Sequence, residues 1–150
     1  MNPSEEGHPV LSIKVFFLLI FYSFWLKVLS FPALVEKTER FRNRSVDSHL
    51  PPDTVLLILE NIWRECTFIL CTLLRSPKPC LRRSLVLYHW CCMNGIDAQL
   101  VIGVKKVSSR PVSHAWIILQ GHPLHEDEGE LSSYTPFLTV PSGRGDQNAG

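Results

Sequence analysis

The stretch CLRRSLVLYHWCCMNGIDAQLVIGV, residues 80–104, decides the fold because two different periodicities meet inside it. Its first half carries apolar residues at three- and four-residue spacing, which predicts one face of a helix over Cys80–Met93. These residues are Leu81, Leu85, Tyr88 and Cys92. Asn94-Gly95 then favours a left-handed helix cap. From Ala98 to Val104 apolar residues alternate with others, which predicts a largely buried strand.

The residues before this stretch predict a break and an earlier helix. Ser76-Pro77-Lys78-Pro79 contains two prolines in four residues, so it ends any helix that precedes it. A helix is predicted to begin at Asp53, which can cap it, and to continue through Phe68 and Leu73-Leu74. Cys80 therefore lies in the first turn of its own helix.

The residues after this stretch predict a small sheet. Residues 108–111 favour a turn or loop, and His114–Leu119 favour a second strand. Gly121-His122-Pro123 predicts a reversal, followed by a short third strand over Leu124–Glu126. After Asp127 the chain is predicted to be irregular, with Tyr134, Pro136 and Phe137 packing onto the core. The fold class predicted is α+β, with the cysteine-bearing helix packed on a small antiparallel sheet.

The N-terminal third is apolar and is predicted to form a helix. Residues 10–34 are strongly apolar, and the segment Val15–Leu26 carries no charge between Lys14 and Lys27. Because a bilayer span needs about 20 apolar residues, a buried or interfacial helix ending at Phe31-Pro32 is favoured over a spanning one. Residues 36–48 are charged and predict an exposed connection or a polar helical turn. The predicted organisation is an apolar helix and linker over 1–50, a core over 51–140 and a disordered tail over 141–150.

Composition excludes several classes of protein. The chain has 150 residues, 45% of them hydrophobic, and a net charge of +1, so it is not disordered as a whole. The near-neutral balance argues against a nucleic-acid binder, which needs a basic surface. The five cysteines cannot all pair and follow no convincing signal peptide, which indicates free thiols in a reducing, cytoplasmic compartment. Because paired Cys-x-x-Cys spacing is missing, neither a zinc site nor another cofactor is predicted.

The order of a cysteine at a helix start, a histidine at a strand and an acidic turn is typical of nucleophilic catalysis. A helix N-terminus lowers a thiol pKa, and its free N–H groups can stabilise an oxyanion. An imidazole can then accept the thiol proton, while a carboxylate orients the imidazole. Cys80, His114 and either Glu126 or Asp127 are the candidates for these roles. The other four cysteines are predicted to be packing residues.

The amino-acid sequences of these motifs resemble those of a known family. Cys80-Leu81-Arg82-Arg83-Ser84-Leu85, Gly95-Ile96, the strand Leu100–Val104 and His114-Ala115-Trp116, in that order, resemble the transglutaminase-like leader peptidases of lasso-peptide biosynthesis, the microcin-processing type. The resemblance covers roughly residues 53–137 and implies a papain-like cysteine peptidase core. Cys80 matches the family nucleophile and His114 its general base. The third position is usually Asp after a Gly-x-Pro segment, and Glu126 stands at the matching place here, with Asp127 next to it.

The resemblance also implies a pathway and partners. Such peptidases remove the leader from a ribosomally made precursor peptide before a separate, asparagine-synthetase-like cyclase closes the macrolactam ring. The family's leader-recognition module is not expected before residue 53, so a separate recognition protein is expected to present the leader. The apolar residues 10–34 are then a candidate surface for docking these partners or a membrane.

Two alternatives remain open at the level of sequence. One is a non-catalytic, membrane-associated scaffold or peptide-binding module on the same fold, suggested by the apolar N-terminus and the unusual acid. The other is an acyltransferase, since a thioester can be captured by an amine in place of water.

Overall fold

The computed structural model describes residues 9–40 and 50–140, and these form helices and one small sheet. The helices are α1 Pro9–Val28, α2 Phe31–Arg40, α3 Pro52–Phe68, α4 Pro79–Met93 and α5 Glu128–Leu131, and a π-helical turn, Ile69–Leu73, continues α3. The strands are β1 Ala98–Val107, β2 Arg110–Leu119, β3 His122–Pro123 and β4 Thr135–Val140. The predicted α+β arrangement of helices with a small antiparallel sheet is confirmed.

The sheet is antiparallel in the order β3-β2-β1-β4. The loop predicted over residues 108–111 is too long, because the β1–β2 turn consists of Ser108 and Ser109 alone. Both have positive φ, 47° and 69°, the backbone geometry that joins twisted strands through two residues. As a result β2 begins at Arg110 instead of His114, and His114 lies within the strand, opposite Gly103.

The two remaining strands differ from the prediction. The third strand is His122–Pro123, two residues before the predicted Leu124–Glu126, because Gln120 and Gly121 make a tight turn with positive φ. The region after Asp127 is not irregular, since β4 pairs with β1. The sequence of β4 has no clear alternation of polar and apolar residues, so no strand is predicted there. Phe137 is 64% exposed, so the predicted packing of Phe137 onto the core is wrong.

Helix α4 lies against the sheet and against α1, α2 and α3. It begins at Pro79, the last residue of the predicted break and one residue before the predicted start at Cys80. It ends at Met93, as predicted, and is followed by Asn94 and by Gly95 with φ 65°. The predicted cap by Asp53 is wrong: α3 begins at Pro52, and no side chain caps it. A proline in the first turn lacks one of the N–H groups that a cap would satisfy, which reduces the need for one.

The apolar N-terminal run forms two helices. The helical conformation is interrupted at Leu29-Ser30. Pro32 lies in the first turn of α2, where proline is tolerated, so Phe31-Pro32 starts a helix instead of ending one. The start of the charged stretch predicted over residues 36–48 belongs to α2, and the remainder of that stretch lies outside the described residues. The predicted tail over 141–150 also lies outside them.

Helix α1 contributes to the same hydrophobic core as α3, α4 and the sheet. Val15, Leu19 and Tyr22 are fully buried. The Tyr22 hydroxyl is hydrogen-bonded to Thr38 Oγ1 of α2 at 3.0 Å and to His89 Nδ1 of α4 at 2.9 Å, so a polar link joins three helices inside the core. None of the helices in the described part of the chain has the length and apolar content needed to cross a bilayer.

Candidate active site

Cys80 lies in the first turn of α4, half-buried at the edge of the sheet. Pro79 is the first helical residue and has no N–H group, so the backbone donors that follow it are the first available ones. No side chain caps this turn. The N-terminal N–H groups and the helix dipole are therefore available to a negative charge on the thiol or on a substrate.

His114 comes from the middle of β2, and aromatic rings hold its imidazole. The ring of Trp116 stacks on it with centroids 5.9 Å apart, and the ring of Tyr134 is 5.5 Å away. Gly103 of β1 faces His114 across the strand pair. A Cβ atom on Gly103 would lie 2.8 Å from the ring of Trp116 and 3.1 Å from Tyr134. The absence of a side chain at Gly103 is what lets these two rings pack beside the imidazole.

The thiol of Cys80 and the imidazole of His114 form a hydrogen bond. Burial acts to raise the pKa of Cys80, but the hydrogen bond and charge of His114, with backbone hydrogen bonds from Ala115 and Leu81, outweigh it and lower that pKa. The pKa of His114 is raised to about 9, first by its hydrogen bond with Cys80 and then by Glu126, against the effect of burial. Both shifts favour a thiolate–imidazolium pair.

Glu126 is the acid that reaches the imidazole. Its Oε1 lies 3.1 Å from His114 Nε2 and 3.5 Å from Arg83 Nη2. Asp127, the alternative from the sequence, caps α5 instead, accepting from the backbone N–H of Glu130 at 2.8 Å. The structure thus brings Cys80, His114 and Glu126 together and gives Asp127 a different partner.

Arg83 fixes Glu126 from the far side of the imidazole. Its guanidinium donates to Thr67 Oγ1 at 3.2 Å and lies over the ring of Trp63, 4.6 Å from the centroid. Thr67 in turn donates to the backbone carbonyl of Trp63 at 2.8 Å. The arginine side chain is only 12% exposed, so its hydrogen bonds and its charge act in a poorly solvated environment. Helix α3 therefore contributes to positioning the acid.

A second contact sets the distance between Cys80 and His114. Ser84, one turn after Cys80 on α4, donates to the backbone carbonyl of Ala115 at 2.9 Å, and Ser84 is buried. Since Ala115 follows His114 on β2, this hydrogen bond joins the helix to the strand beside Cys80 and His114.

The five cysteines, all within the described residues, lie in different surroundings. Cys66, Cys91 and Cys92 are buried, as the packing prediction expects. The prediction is wrong for Cys71, which is exposed because it lies on the outer side of the π-helical turn. Burial raises the pKa of Cys66 to about 12, whereas Cys80 has an imidazole partner that reverses this effect.

A cleft of about 340 Å³ opens in front of Cys80 and His114. Its apolar lining includes Leu26 of α1 with Leu81 and Ile102, and its cationic lining consists of Lys78 and Arg82. A cleft of this size accommodates a few side chains of an extended peptide. Among the described residues, no cluster of three or more His, Cys, Asp or Glu side chains could hold a metal ion.

The sequence predicts the three polar groups that lie together here but not the residues that hold them in place. Arg83 and Ser84 belong to the motif that carries the family resemblance. The sequence alone indicates no partner for either, since Glu126 and Ala115 lie far away along the chain. Gly103 interrupts an apolar strand, and a glycine inside a strand is a known sign of close approach by another group. That signal could have pointed to the packing of Trp116 and Tyr134.

Comparison with known proteins agrees with the geometry. No curated protein and no solved structure matches the chain significantly. The family model described as the transglutaminase-like superfamily matches residues 25–139, which include every element from the end of α1 to β4. Members of this superfamily are typically enzymes that use Cys, His and Asp. With a cysteine at a helix start, a histidine on the adjoining strand and an acid beside it, the chain belongs to the transglutaminase-like superfamily.

Proposed function

We propose that this protein is a cysteine peptidase that removes the leader from a ribosomally made precursor peptide, with Cys80 as nucleophile, His114 as general base and acid, and Glu126 as the orienting carboxylate. One observation carries the proposal: the thiol, the imidazole and the carboxylate are joined in series by hydrogen bonds, and the thiol faces an open cleft.

The proposed reaction begins with the thiolate. Cys80 Sγ attacks the carbonyl carbon of the scissile amide, and the oxyanion that forms is placed to accept from the N–H groups at the start of α4. The His114 imidazolium gives its proton to the amine nitrogen as the C–N bond breaks, which leaves a thioester on Cys80. His114 then removes a proton from water, the resulting hydroxide equivalent attacks the thioester, and the thiol is released with a carboxylic acid product.

Glu126 supports this cycle by stabilising the imidazolium and holding one ring orientation. The shared carboxylate oxygen contacts both His114 and Arg83, so the extra methylene of a glutamate is accommodated by an anchored side chain. These two contacts explain how glutamate can take the position at which members of the lasso-peptide leader peptidase family usually carry aspartate.

In the proposed pathway a separate recognition protein presents the leader, and an asparagine-synthetase-like cyclase consumes the freed amine. The support for this finer assignment is the motif resemblance of residues 80–116. The test is incubation of the full chain with a candidate precursor peptide and its recognition protein, followed by mass spectrometry. We expect two fragments from the unaltered protein, none from Cys80→Ala or His114→Ala, and normal cleavage from Cys71→Ser, the matched control on an exposed thiol.

A second candidate is acyl transfer by the same thioester, which superfamily membership also allows. Adding a primary amine to the assay distinguishes the two, because transfer gives a new amide in place of a free carboxylate. A product that is mainly amide at low amine concentration would support transfer over hydrolysis.

The exposed face of α1 supports a membrane-surface role as an additional proposal. Ile13, Phe17, Ile20, Phe24 and Val28 are exposed at helical spacing, and Lys14 and Lys27 stand at the two ends of this stripe. An apolar stripe with flanking cations is typical of helices that lie on anionic membranes.

The test is sedimentation of the full chain with vesicles containing phosphatidylserine. We expect Phe17→Ser and Phe24→Ser to reduce binding and Phe137→Ser, an equally exposed phenylalanine on β4, to leave it unchanged. Equal binding by all three variants would contradict a role for α1.

A further inference from the structure

The two arginines that follow Cys80 in α4, Arg82 and Arg83, have different environments. Arg83 is paired with Glu126 and held by Thr67. Arg82 lines the cleft, and within the described residues it has no acidic partner. Its guanidinium donates to Ser76 Oγ, while its buried Nε atom has no partner among the described residues. A buried donor without a partner carries a desolvation cost that an acceptor can relieve.

Lys78 is a second cation that lines the cleft. It lies immediately before α4, is exposed, and makes no ion pair within the described part of the chain. None of the described residues that line the cleft is acidic, because Glu126 lies behind His114 and is occupied there. The lining of the opening in front of the thiol therefore combines two cations, Lys78 and Arg82, with apolar side chains that include Leu26 and Ile102.

We propose that this cleft selects a peptide segment with an anionic side chain near the bond to be cleaved, bound by Arg82 and Lys78, next to an apolar side chain that contacts Leu26 and Ile102. The proposal rests on the proposed function, since it takes Cys80 as the reacting atom. It names the class of substrate: an acidic–apolar peptide.

The first experiment measures charge selectivity at Cys80 without requiring turnover. The full chain with Cys71→Ser is alkylated with iodoacetate and with iodoacetamide, and labelling of Cys80 is followed by mass spectrometry. The measured quantity is the rate with the anionic reagent divided by the rate with the neutral one. We expect Arg82→Gln and Lys78→Gln each to lower this ratio about three- to fivefold, in line with partly exposed charge pairs.

Two controls separate charge from structure. Arg82→Lys retains the cation and is expected to retain the ratio. Arg110→Gln removes an exposed cation that does not line the cleft, and is expected to leave the ratio unchanged. Lys78 is exposed, so Lys78→Gln is expected to fold and still measures the effect of a lost cation on the ratio if Arg82→Gln does not fold. A ratio that is equal in the unaltered protein and in both neutral variants would overturn the proposal.

A second experiment tests the peptide itself. Tripeptidyl acyloxymethyl ketones are compared in pairs that differ only by Glu or Gln at each of the three positions. We expect the Glu probe to label Cys80 about threefold to fivefold faster at one position and the preference to disappear in Arg82→Gln. Equal rates for the Glu and Gln probes at all three positions would overturn the proposed preference for an anionic substrate but not the proposed peptidase function. Failure of every reagent to label Cys80 would overturn the proposed peptidase function.

Discussion

The Glu126 carboxylate is one of two groups that keep the His114 imidazole protonated. The hydrogen bond with Cys80 and then the contact with Glu126 raise the pKa of His114 to about 9, because both partners stabilise the protonated ring. Glu126→Gln removes the charge and weakens the hydrogen bond, so the pKa of His114 must fall. We expect the His114 titration midpoint, measured by NMR on the ring carbon, to move from near pH 9 toward the ordinary histidine value of about 6.5.

The same substitution has a consequence for the thiol. Cys80 owes its lowered pKa partly to the positive charge on His114, so a neutral imidazole leaves the thiol protonated up to higher pH. The alkylation rate in Glu126→Gln should then rise at higher pH than in the unaltered protein. Glu128→Gln is the matched control, since the exposed Glu128 carboxylate contacts the exposed His122 at 3.3 Å. Coincident pH curves for the unaltered protein and Glu126→Gln would contradict the assignment.

Substitution of Asp127, the acid next to Glu126, tests whether Asp127 has a structural role in place of a role at His114. Its side chain caps α5, so Asp127→Ala should cost about 1 kcal/mol of stability, measured by urea unfolding, through the lost cap. Cleavage and Cys80 labelling should remain near normal after correction for the folded fraction. Loss of labelling in folded Asp127→Ala, with labelling retained in Glu126→Gln, would reverse the roles of the two acids.

The polar groups of the site were predictable because their chemistry depends on residue type and local position. A cysteine just after a proline break and a histidine in an apolar strand carry their signal in a few neighbouring residues. Residue type and spacing alone left the choice between Glu126 and Asp127 open, because it depends on how far the backbone turns after β3; only the family resemblance favoured Glu126. Arg83 could not be assigned either, since its partners come from α3 and from the turn before α5.

At the scale of elements, the pairing of β1 with β2 places Gly103 beside His114, and this pairing leaves no room for a side chain. Gly103→Ala should push the Trp116 ring away from the imidazole and cost about 1–3 kcal/mol of stability through overpacking. We expect lower Cys80 labelling by iodoacetamide in the folded protein, because the imidazole loses its stacked support.

A second substitution checks this cause. Trp116→Phe in the Gly103→Ala background removes the ring atoms that the new Cβ meets, so it should recover part of the lost stability. Strictly additive losses in urea unfolding would show that the two positions do not collide.

The elements themselves were predictable to different degrees. Helix α4 and strand β1 have long, consistent periodicity between clear breaks, and both were found. Strand β4 was missed because Thr135-Pro136-Phe137 combines a proline with an exposed aromatic residue, and its pairing with β1 is decided by tertiary contact. The start of β2 was missed because two serines with positive φ make a tighter turn than their residue type suggests.

At the scale of the whole molecule, α1 presents two apolar faces in different surroundings. One face is part of the core that supports α4, and the other remains exposed. Sequence alone could not separate them, because nearly every residue between Lys14 and Lys27 is apolar. The boundary placed at residue 50 remains a prediction about folding, and Leu26 of α1 already lines the cleft.

A matched pair of substitutions on α1 separates its two faces. Leu19 is fully buried, so Leu19→Ala should lower the free energy of unfolding by about 2–5 kcal/mol through lost contacts and a cavity. Phe17, two residues earlier, is 66% exposed, so Phe17→Ala should change stability by no more than about 0.5 kcal/mol. Urea unfolding of both variants measures this difference. If Leu19→Ala were as stable as Phe17→Ala, α1 would be an appendage and residues 51–140 would form the core by themselves. A large loss in Leu19→Ala alone would mean that the cleft, the cysteine-bearing helix and α1 fold as one unit.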